Sequence, residues 1–176
     1  LVDTSFIEAF YEASNAGVHI DLIIRGICCL RPGVPGLSEN IRVRSIIGRF
    51  LEHSRIYFFH SNGKSNLYVA SADLMPRNLY NRVEIVFPIE NADHRRYIVE
   101  ELLGRQLADN SGAWQLLPNG DYSKLTCPRQ EQMRDSQSEF LEIAREIEKT
   151  ARRRKPAPRI SPSSRSSPLT KRRKKR

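Results

Sequence analysis

The stretch "VHIDLII", residues 18–24, decides the fold class of this chain. Polar and apolar residues alternate at its start and its end is fully apolar, which is typical of a strand buried in a parallel sheet. Residues 4–16 before it have the apolar spacing of a helix. Asp3 or Thr4 can cap its start, and Gly17 can end it. A helix followed directly by a buried strand predicts an α/β fold with a mixed β-sheet and flanking helices.

The next part of the chain predicts a glycine-rich loop and a second helix. The loop "GICCLRPGVPGL", residues 26–37, holds three glycines and two prolines, so an irregular but fixed shape is expected. Ser38 or Asn40 can cap a helix after it. The apolar residues of this helix recur at i, i+3, i+4, i+7 and i+8, namely at Val43, Ile46, Ile47, Phe50 and Leu51. The free N–H groups at the start of such a helix would favour a bound anion. Helix capping explains Ser38 and Asn40 equally well.

Two hairpins and three further elements follow. The Asn62-Gly63 dipeptide lies between "RIYFF" and "NLYVAS" and is a strong hairpin signal. The later elements are predicted as a strand at 82–89, a helix at 92–107, a small hairpin around "PNGD" and a charged amphipathic helix at 130–154. A helix that opens an α/β unit usually follows a strand, so we expect the first strand to lie before Leu1.

The positive net charge of +9 belongs to one end of the chain. Residues 152–176 carry twelve Lys or Arg and no acid, whereas residues 1–151 carry seventeen basic and twenty acidic side chains. The composition predicts a folded domain at 1–150 and a basic disordered tail at 151–176. Within the domain, residues 25–82 hold eight arginines, one lysine and three acids. Arginine suits phosphate oxygens because its planar fork can bind two of them.

Several function classes are excluded or disfavoured. No apolar stretch is long enough to span a bilayer, and there is neither a signal-peptide pattern nor a disulfide framework among the three cysteines. The sequence lacks GxGxxG, GxSxG and HExxH. Gly63-Lys64-Ser65 ends like a phosphate loop, but the first glycine of that motif is replaced by Phe58.

Polar residues cluster instead after predicted strands. Arg25 follows "DLII" at the carboxyl end of a strand, where open α/β sheets bind ligands, although a salt bridge would explain it equally well. The segment "SADLMPRN" places polar residues just past "LYVA", namely Ser71, Asp73, Arg77 and Asn78. Together with the arginine-rich segment, they predict a phosphate-bearing ligand. His53 stands at a change of pattern in "RFLEHSRIYFF", between the predicted second helix and the next strand.

These residues also resemble a known family. The long stretch "RGICCLRPGVPGLSENIRVRS", with "YVASADLMPRN" and "RVEIVFPI", resembles the C-terminal catalytic domain of bacterial class-one polyphosphate kinases. The resemblance covers about residues 1–150. It implies a phospholipase-D-like half domain, reversible transfer of the terminal phosphate of ATP to polyphosphate, and Mg²⁺. It further implies that the phosphorylated histidine and the Mg²⁺ ligands lie upstream of this fragment, which therefore holds no metal site and is inactive alone.

The resemblance also assigns residues. Arg25 and His53 would contact the ATP or ADP phosphates, with His53 stabilising the leaving phosphate or acting as a general acid. Further polyphosphate contacts are predicted at Arg42, Arg44, Arg55, Ser71, Arg77, Asn78 and Arg82. Several of these arginines could instead pair with Glu39, Glu52, Asp73 or Glu84. In phospholipase D the corresponding motif is HxK, and here it reads His53-Ser54-Arg55, with Asp73 in place of a later Asn.

Two alternative functions stay open from the sequence. The chain could be a polyanion- or nucleic-acid-binding module that uses the tail "TKRRKKR", since Lys/Arg runs bind polyanions without sequence preference. It could also be a phospholipase-D-type phosphodiesterase with a phosphohistidine at His53. Under the main hypothesis the expected partners are ATP or ADP, polyphosphate, the N-terminal domains of the same chain and further copies of the enzyme. A cytoplasmic location is expected, with peripheral contact to the inner membrane left open.

Overall fold

The computed structural model describes residues 1–129 and 132–153. The predicted tail, apart from residues 151–153, lies outside them. The chain divides into two units, Leu1–Glu142 and Ile143–Arg176. In the second unit the described residues are helical, with ion pairs one turn apart at Lys149–Glu146 (2.5 Å) and Arg152–Glu148 (2.6 Å).

The described residues form five α-helices, one π-helical segment and seven strands. In chain order these are α1 (Thr4–Asn15), β1 (Ile20–Ile23), β2 (Ile41–Ile46), β3 (Ile56–Ser61), β4 (Lys64–Ala70), α2 (Pro76–Asn81), β5 (Val86–Pro88), α3 (Ala92–Arg96), a π-helix (Tyr97–Leu103), α4 (Gly104–Ala108), β6 (Ala113–Leu116), β7 (Tyr122–Lys124) and α5 (Ser136–Arg153). The predicted α/β class with a mixed sheet and flanking helices is confirmed.

A four-stranded mixed sheet supports the core of the first unit. Its order is β1-β2-β6-β7, with β1 parallel to β2 and the other neighbours antiparallel. The core side contains the buried residues Leu1, Ile7, Leu30, Ile41, Val43 and Leu116. Helix α1 packs there as predicted, since Asp3 Oδ1 accepts a 3.2 Å hydrogen bond from the Phe6 amide and Gly17 follows the helix at φ +86°. The strand predicted as buried, β1, is only half-buried, because it lies at the edge of this sheet.

The predicted helix between Ser38 and Leu51 is wrong. Residues 41–46 form the strand β2, in which Ile41 and Val43 are buried and Arg42 is exposed. The β-branched residues of this segment fit the period of a helix as well as that of a strand. The strand forms because its backbone hydrogen bonds to β1 on one edge and to β6 on the other, and this pairing satisfies its polar groups. Ser38 therefore caps no helix. Its hydroxyl donates to the Arg31 carbonyl (2.5 Å) and accepts from the Val34 amide (3.1 Å), which closes the preceding loop.

A second sheet, β3-β4-β5, is antiparallel throughout. The predicted hairpin is confirmed, with Asn62 at φ 44° and Gly63 at φ 79°, the positive angles of a type I′ turn. Strand β5 spans only Val86–Pro88, shorter than the predicted 82–89. The helix predicted at 92–107 is present as the continuous run from α3 to α4, with a π-helical middle. The last helix begins at Ser136 rather than at residue 130.

Candidate functional site

The loop after β1 and the connection before β3 bring Arg25 and His53 together. Arg25 lies two residues past the end of β1, and its Nη2 donates to both Asp73 oxygens at 3.2 and 3.1 Å. Its Nη1 lies 3.2 Å from His53 Nδ1. Because these residues come from three separate connections, only the fold places them side by side. We call Arg25, His53, Arg55 and Asp73 the Asp73 cluster.

Arg55 is the second cation of the Asp73 cluster. Its Nε donates to Asp73 Oδ1 at 3.1 Å, and its Nη1 donates to the His53 carbonyl at 3.0 Å. The predicted alternative of an arginine–Asp73 pair is thus present for both Arg25 and Arg55. Arg55 is partly buried, with 24% of its side chain exposed, so its charge-assisted hydrogen bonds are only partly screened by water.

The charge balance of the cluster is positive. Partial burial alone would raise the pKa of Asp73, but the hydrogen bonds and charges of Arg55 and Arg25 outweigh it and hold that pKa below its usual value. Asp73 is therefore ionised at neutral pH and neutralises one of two guanidinium groups. A surplus of one positive charge remains beside the exposed ring of His53, which suits an anionic ligand.

A neighbouring carboxylate, Glu84, contacts three of the other predicted residues. Glu84 accepts from the Ser71 hydroxyl and, at 3.1 Å, from Asn78 Nδ2, and its Oε1 lies 3.6 Å from Arg82 Nε. The hydrogen bonds from Ser71 and then Asn78 lower the pKa of Glu84. Ser71, Asn78 and Arg82 thus face a carboxylate in this structure, and we call the four residues the Glu84 cluster.

The remaining predicted arginines lie apart from these contacts. Arg42 on β2 is exposed and pairs with Asp21 of β1 at 3.0 Å. Arg44 on the same strand is half-buried and donates to the Leu107 carbonyl, and burial lowers its pKa. Arg77 is exposed on α2. The structure therefore brings together Arg25, His53 and Arg55, and separately Ser71, Asn78 and Arg82.

The Asp73 cluster does not fit a magnesium ion. Mg²⁺ is bound through oxygen ligands, and both Asp73 oxygens already accept hydrogen bonds from guanidinium groups. Within residues 1–129 and 132–153 no three His, Cys, Asp or Glu side chains come together as a possible metal site. None of the helices in those ranges is long and apolar enough to cross a bilayer.

Sequence reasoning missed the polar residues that support the His53 backbone. Gln137 at the start of α5 binds both backbone groups of Phe50, and Gln137 and Gln106 both donate to Glu52. Asp135 caps this helix, since its Oδ1 accepts from the Ser138 amide at 2.7 Å, and an Asp directly before an amphipathic run is a signal that could have placed the helix start correctly. No sequence signal pointed from that helix to His53.

Comparison with known proteins agrees with this architecture. The family described as "Polyphosphate kinase C-terminal domain 2" matches residues 1–137. A polyphosphate kinase of Synechocystis sp. is 55% identical over 140 residues, and one of Burkholderia lata is 56% identical over 124 residues. These alignments cover 80% and 70% of this chain but only 19% and 18% of the relatives. The chain thus spans about a fifth of the length of the curated relatives it matches.

A solved structure extends the likeness to three dimensions. The crystal structure of polyphosphate kinase from Porphyromonas gingivalis superposes with a TM-score of 0.78 at 41% identity, covering 85% of this chain and 23% of that one. The family match, over residues 1–137, includes the segments that carry both clusters. This chain therefore belongs to the polyphosphate kinase family and corresponds to its second C-terminal domain.

Proposed function

We propose that this chain is the part of a polyphosphate kinase that binds the phosphates of ATP or ADP during reversible transfer of the terminal phosphate of ATP to polyphosphate. The observation that carries the proposal is the contact of Arg25 with His53, beside Asp73, the counter-ion that Arg25 shares with Arg55. Phosphoryl transfer needs positioned positive groups around the transferring oxygens more than it needs covalent help from the protein. The surplus positive charge of the Asp73 cluster meets that need.

Arg25 has the donors to bind phosphate. A guanidinium carries five N–H groups, and the contacts described for Arg25, to Asp73 and His53, leave donors for phosphate oxygens. The bond to Asp73 fixes the plane of the guanidinium. Arg25 would therefore bind a phosphate with little loss of side-chain entropy.

The contact between Arg25 and His53 favours one of the two predicted roles of the histidine. A guanidinium only donates, so a hydrogen bond between Arg25 Nη1 and His53 Nδ1 requires His53 Nδ1 as the acceptor and leaves the ring proton on Nε2. In that tautomer Nε2 can donate one hydrogen bond to a phosphate oxygen. The geometry therefore favours stabilisation of the leaving phosphate over general-acid catalysis.

The whole enzyme supplies what this part does not. In the proposed assignment Mg²⁺, which offsets phosphate charge, and the phosphorylated histidine belong to regions that precede this chain in longer relatives. The contacts of polyphosphate with Arg42, Arg44 and Arg77, assembly into homo-oligomers and a cytoplasmic location remain predictions for the complete protein. For Ser71, Asn78 and Arg82, polyphosphate would have to compete with Glu84.

The phosphodiesterase alternative gains no support from the Asp73 cluster. Arg55 occupies the lysine position of the HxK pattern, and its guanidinium is bound to Asp73 and to the His53 carbonyl. His53 Nδ1 faces a cation rather than the carboxylate that would raise its basicity as a nucleophile. The polyanion-binding alternative depends on a tail that lies outside the described residues.

A domain exchange tests the proposal. The 140 matched residues of the Synechocystis enzyme would be replaced by those of this chain, and phosphate transfer from radiolabelled ATP to polyphosphate would be measured. We expect an active chimera, in which Arg25→Ala and His53→Ala each lower transfer by about 10²-fold or more. The matched control is Arg96→Ala, because Arg96 is 65% exposed and pairs only with Asp93 on its own helix among the described contacts.

Two results would contradict the proposal. One is a chimera that is folded and oligomeric like its parent but transfers no phosphate. The other is an active chimera in which Arg25→Ala is no more harmful than Arg96→Ala. A trapped phosphohistidine at His53 with a phosphodiester substrate would favour the phosphodiesterase instead.

A further inference from the structure

The segment that carries His53 is not stabilised by apolar packing. Residues 47–55, here called the His53 segment, connect β2 to β3 without forming helix or strand. Their large apolar side chains face solvent, with Phe50 45% exposed and Leu51 65% exposed. Burial of such side chains is what ordinarily orders a connection of this kind. Polar contacts must therefore fix the position of the His53 segment.

One buried carboxamide supplies three of these contacts. Gln137 Oε1 accepts from the Phe50 amide at 2.9 Å, and Gln137 Nε2 donates to the Phe50 carbonyl at 2.7 Å. This is the pair of hydrogen bonds that a neighbouring strand would form. The same Nε2 donates to Glu52 Oε1 at 2.8 Å. Gln137 is only 6% exposed, so water does not compete well for these bonds.

Contacts on both sides of His53 complete the support. Glu52 immediately precedes the histidine, and its Oε2 accepts a 3.1 Å hydrogen bond from the buried Gln106. On the other side, Arg55 Nη1 binds the carbonyl of His53 itself. The segment is therefore bound through the backbone of Phe50, the carboxylate of Glu52 and the carbonyl of His53, and these contacts fix the backbone from which the imidazole reaches Arg25.

The geometry around Gln137 is built for this contact. A Cβ atom on Gly48 would lie 2.5 Å from Gln137 Oε1, so only glycine leaves room for the carboxamide. The helix start that carries Gln137 is fixed in turn by Asp109, whose Oδ2 accepts from both the amide and the hydroxyl of Ser136 at 2.8 Å. Asp109 and Ser136 are both buried.

We infer that Gln137 is a positioning residue for His53, acting through the backbone of Phe50 and the carboxylate of Glu52. The functional value of this position rests on the proposed function, in which His53 contacts phosphate. The structural part does not, because it concerns only where the imidazole lies. The start of α5 thus belongs to the active-site support, although it lies more than eighty residues from His53 in sequence.

The test uses the 176-residue chain with Gln137→Met, which keeps the side-chain length and removes all three hydrogen bonds. The matched control is Gln132→Met at an exposed glutamine. Amide hydrogen exchange is measured at Phe50, and ¹⁵N chemical shifts are measured for the His53 ring. We expect Phe50 exchange to accelerate about tenfold or more, and the His53 Nδ1 signal to move away from that of a hydrogen-bonded acceptor. Gln132→Met should change neither.

The inference is overturned if Phe50 stays protected and the His53 ring shifts stay at their original values in a folded Gln137→Met protein. Should that variant unfold, Glu52→Gln tests the same contacts more gently, because it replaces one of the two acceptor oxygens by a donor. Unchanged His53 ring shifts in this variant would also overturn the inference.

Activity of the chimera separates the two proposals. If His53 moves in Gln137→Met and the KM for ATP rises about tenfold, both the positioning role and the phosphate contact are supported. If His53 moves but phosphate transfer is unchanged, the positioning role stands and the phosphate role of His53 fails.

Discussion

The connection before β2 presents Arg25 and the connection after it presents His53 and Arg55, but different interactions fix the two connections. The loop at residues 24–40, which carries Arg25, contains the fully buried Leu30 and is closed by the buried hydroxyl of Ser38. The His53 segment exposes its apolar side chains and depends on Gln137 and Gln106. One half of the cluster is therefore positioned by core packing and the other by buried hydrogen bonds.

This difference matters for how the site can fail. Core packing is shared by many residues, so damage to the 24–40 loop should appear as a loss of global stability. The contacts of the His53 segment come from a few carboxamide atoms, so their loss should displace His53 while much of the fold persists. The following three predictions test this comparison in order of decreasing effect.

The largest effect is expected from removing core packing in the loop that carries Arg25. Leu30→Ala should lower the free energy of unfolding by about 2–5 kcal/mol, because it leaves a cavity at a side chain that is only 1% exposed. The matched control in the other connection is Leu51→Ala, at 65% exposure, for which we expect less than about 0.5 kcal/mol. Urea unfolding measures both. If Leu30→Ala and Leu51→Ala lowered the free energy of unfolding equally, core packing would not distinguish the two connections.

A smaller effect is expected from crowding Gln137. Gly48→Ala should lower the free energy of unfolding by about 1–3 kcal/mol, because the new methyl group displaces the buried carboxamide of Gln137 from Phe50. Gly26→Ala in the 24–40 loop is the control, since nothing lies within 4 Å of a Cβ at that position. In a protein that already carries Gln137→Ala, adding Gly48→Ala should cost little further stability, because the carboxamide that it would displace is absent. Thermal unfolding of the two single variants and the double variant measures this. If the double variant instead loses the sum of the two separate costs, the contact between Gly48 and Gln137 is not supported.

The smallest effect is expected at the start of α5. Hydrogen bonds from Arg134, followed by those from Arg105, lower the pKa of Glu139 to about 2. Since the folded pKa lies below the unfolded one, Glu139 stabilises the fold above about pH 4.5, and this contribution is lost as the pH falls through about 2. Glu139→Gln should lower the free energy of unfolding at pH 7 by about 1–2 kcal/mol, after allowance for solvent screening.

Near pH 2 the same variant should lower the free energy of unfolding much less than at pH 7, because about half of the original carboxyl is protonated at a pH equal to its folded pKa. Urea unfolding across this pH range measures the difference. Glu142→Gln, at an exposed position one turn further along α5, is the control and should leave the pH dependence unchanged. A pH-independent difference for Glu139→Gln would mean that its ion pairs are not the source of the stabilisation.

Local patterns predicted a large part of the fold. The helix α1, its Asp3 cap and the Asn62-Gly63 turn follow from short stretches whose preferences agree with the final structure. The segment 41–46 shows where such patterns are insufficient. Its β-branched residues fit a helix or a strand, and pairing with β1 and β6, which are distant in sequence, decided in favour of the strand.

The candidate site divides in the same way. Arg25 and His53 were identified from the resemblance to the family and from the position of Arg25 after a strand. The contact between Arg25 and His53 was not predictable, because it depends on Asp73, which lies in a third connection and bridges Arg25 and Arg55. Glu84 was among the predicted partners of the arginines, and it lies beside Arg82, but nothing in the spacing of Ser71 and Asn78 showed that they bind the same carboxylate.

The sequence by itself determined the fold class, the hairpin, the family and the identity of the phosphate-binding candidates, because these depend on short stretches of residues with strong preferences. Only the tertiary structure decided that residues 41–46 are a strand, that Asp73 neutralises one of two arginines, and that Gln137 supports His53. Each of these depends on a hydrogen bond or an ion pair between residues far apart in the chain, and such pairs exist only once the backbone has brought them within about 3 Å of one another.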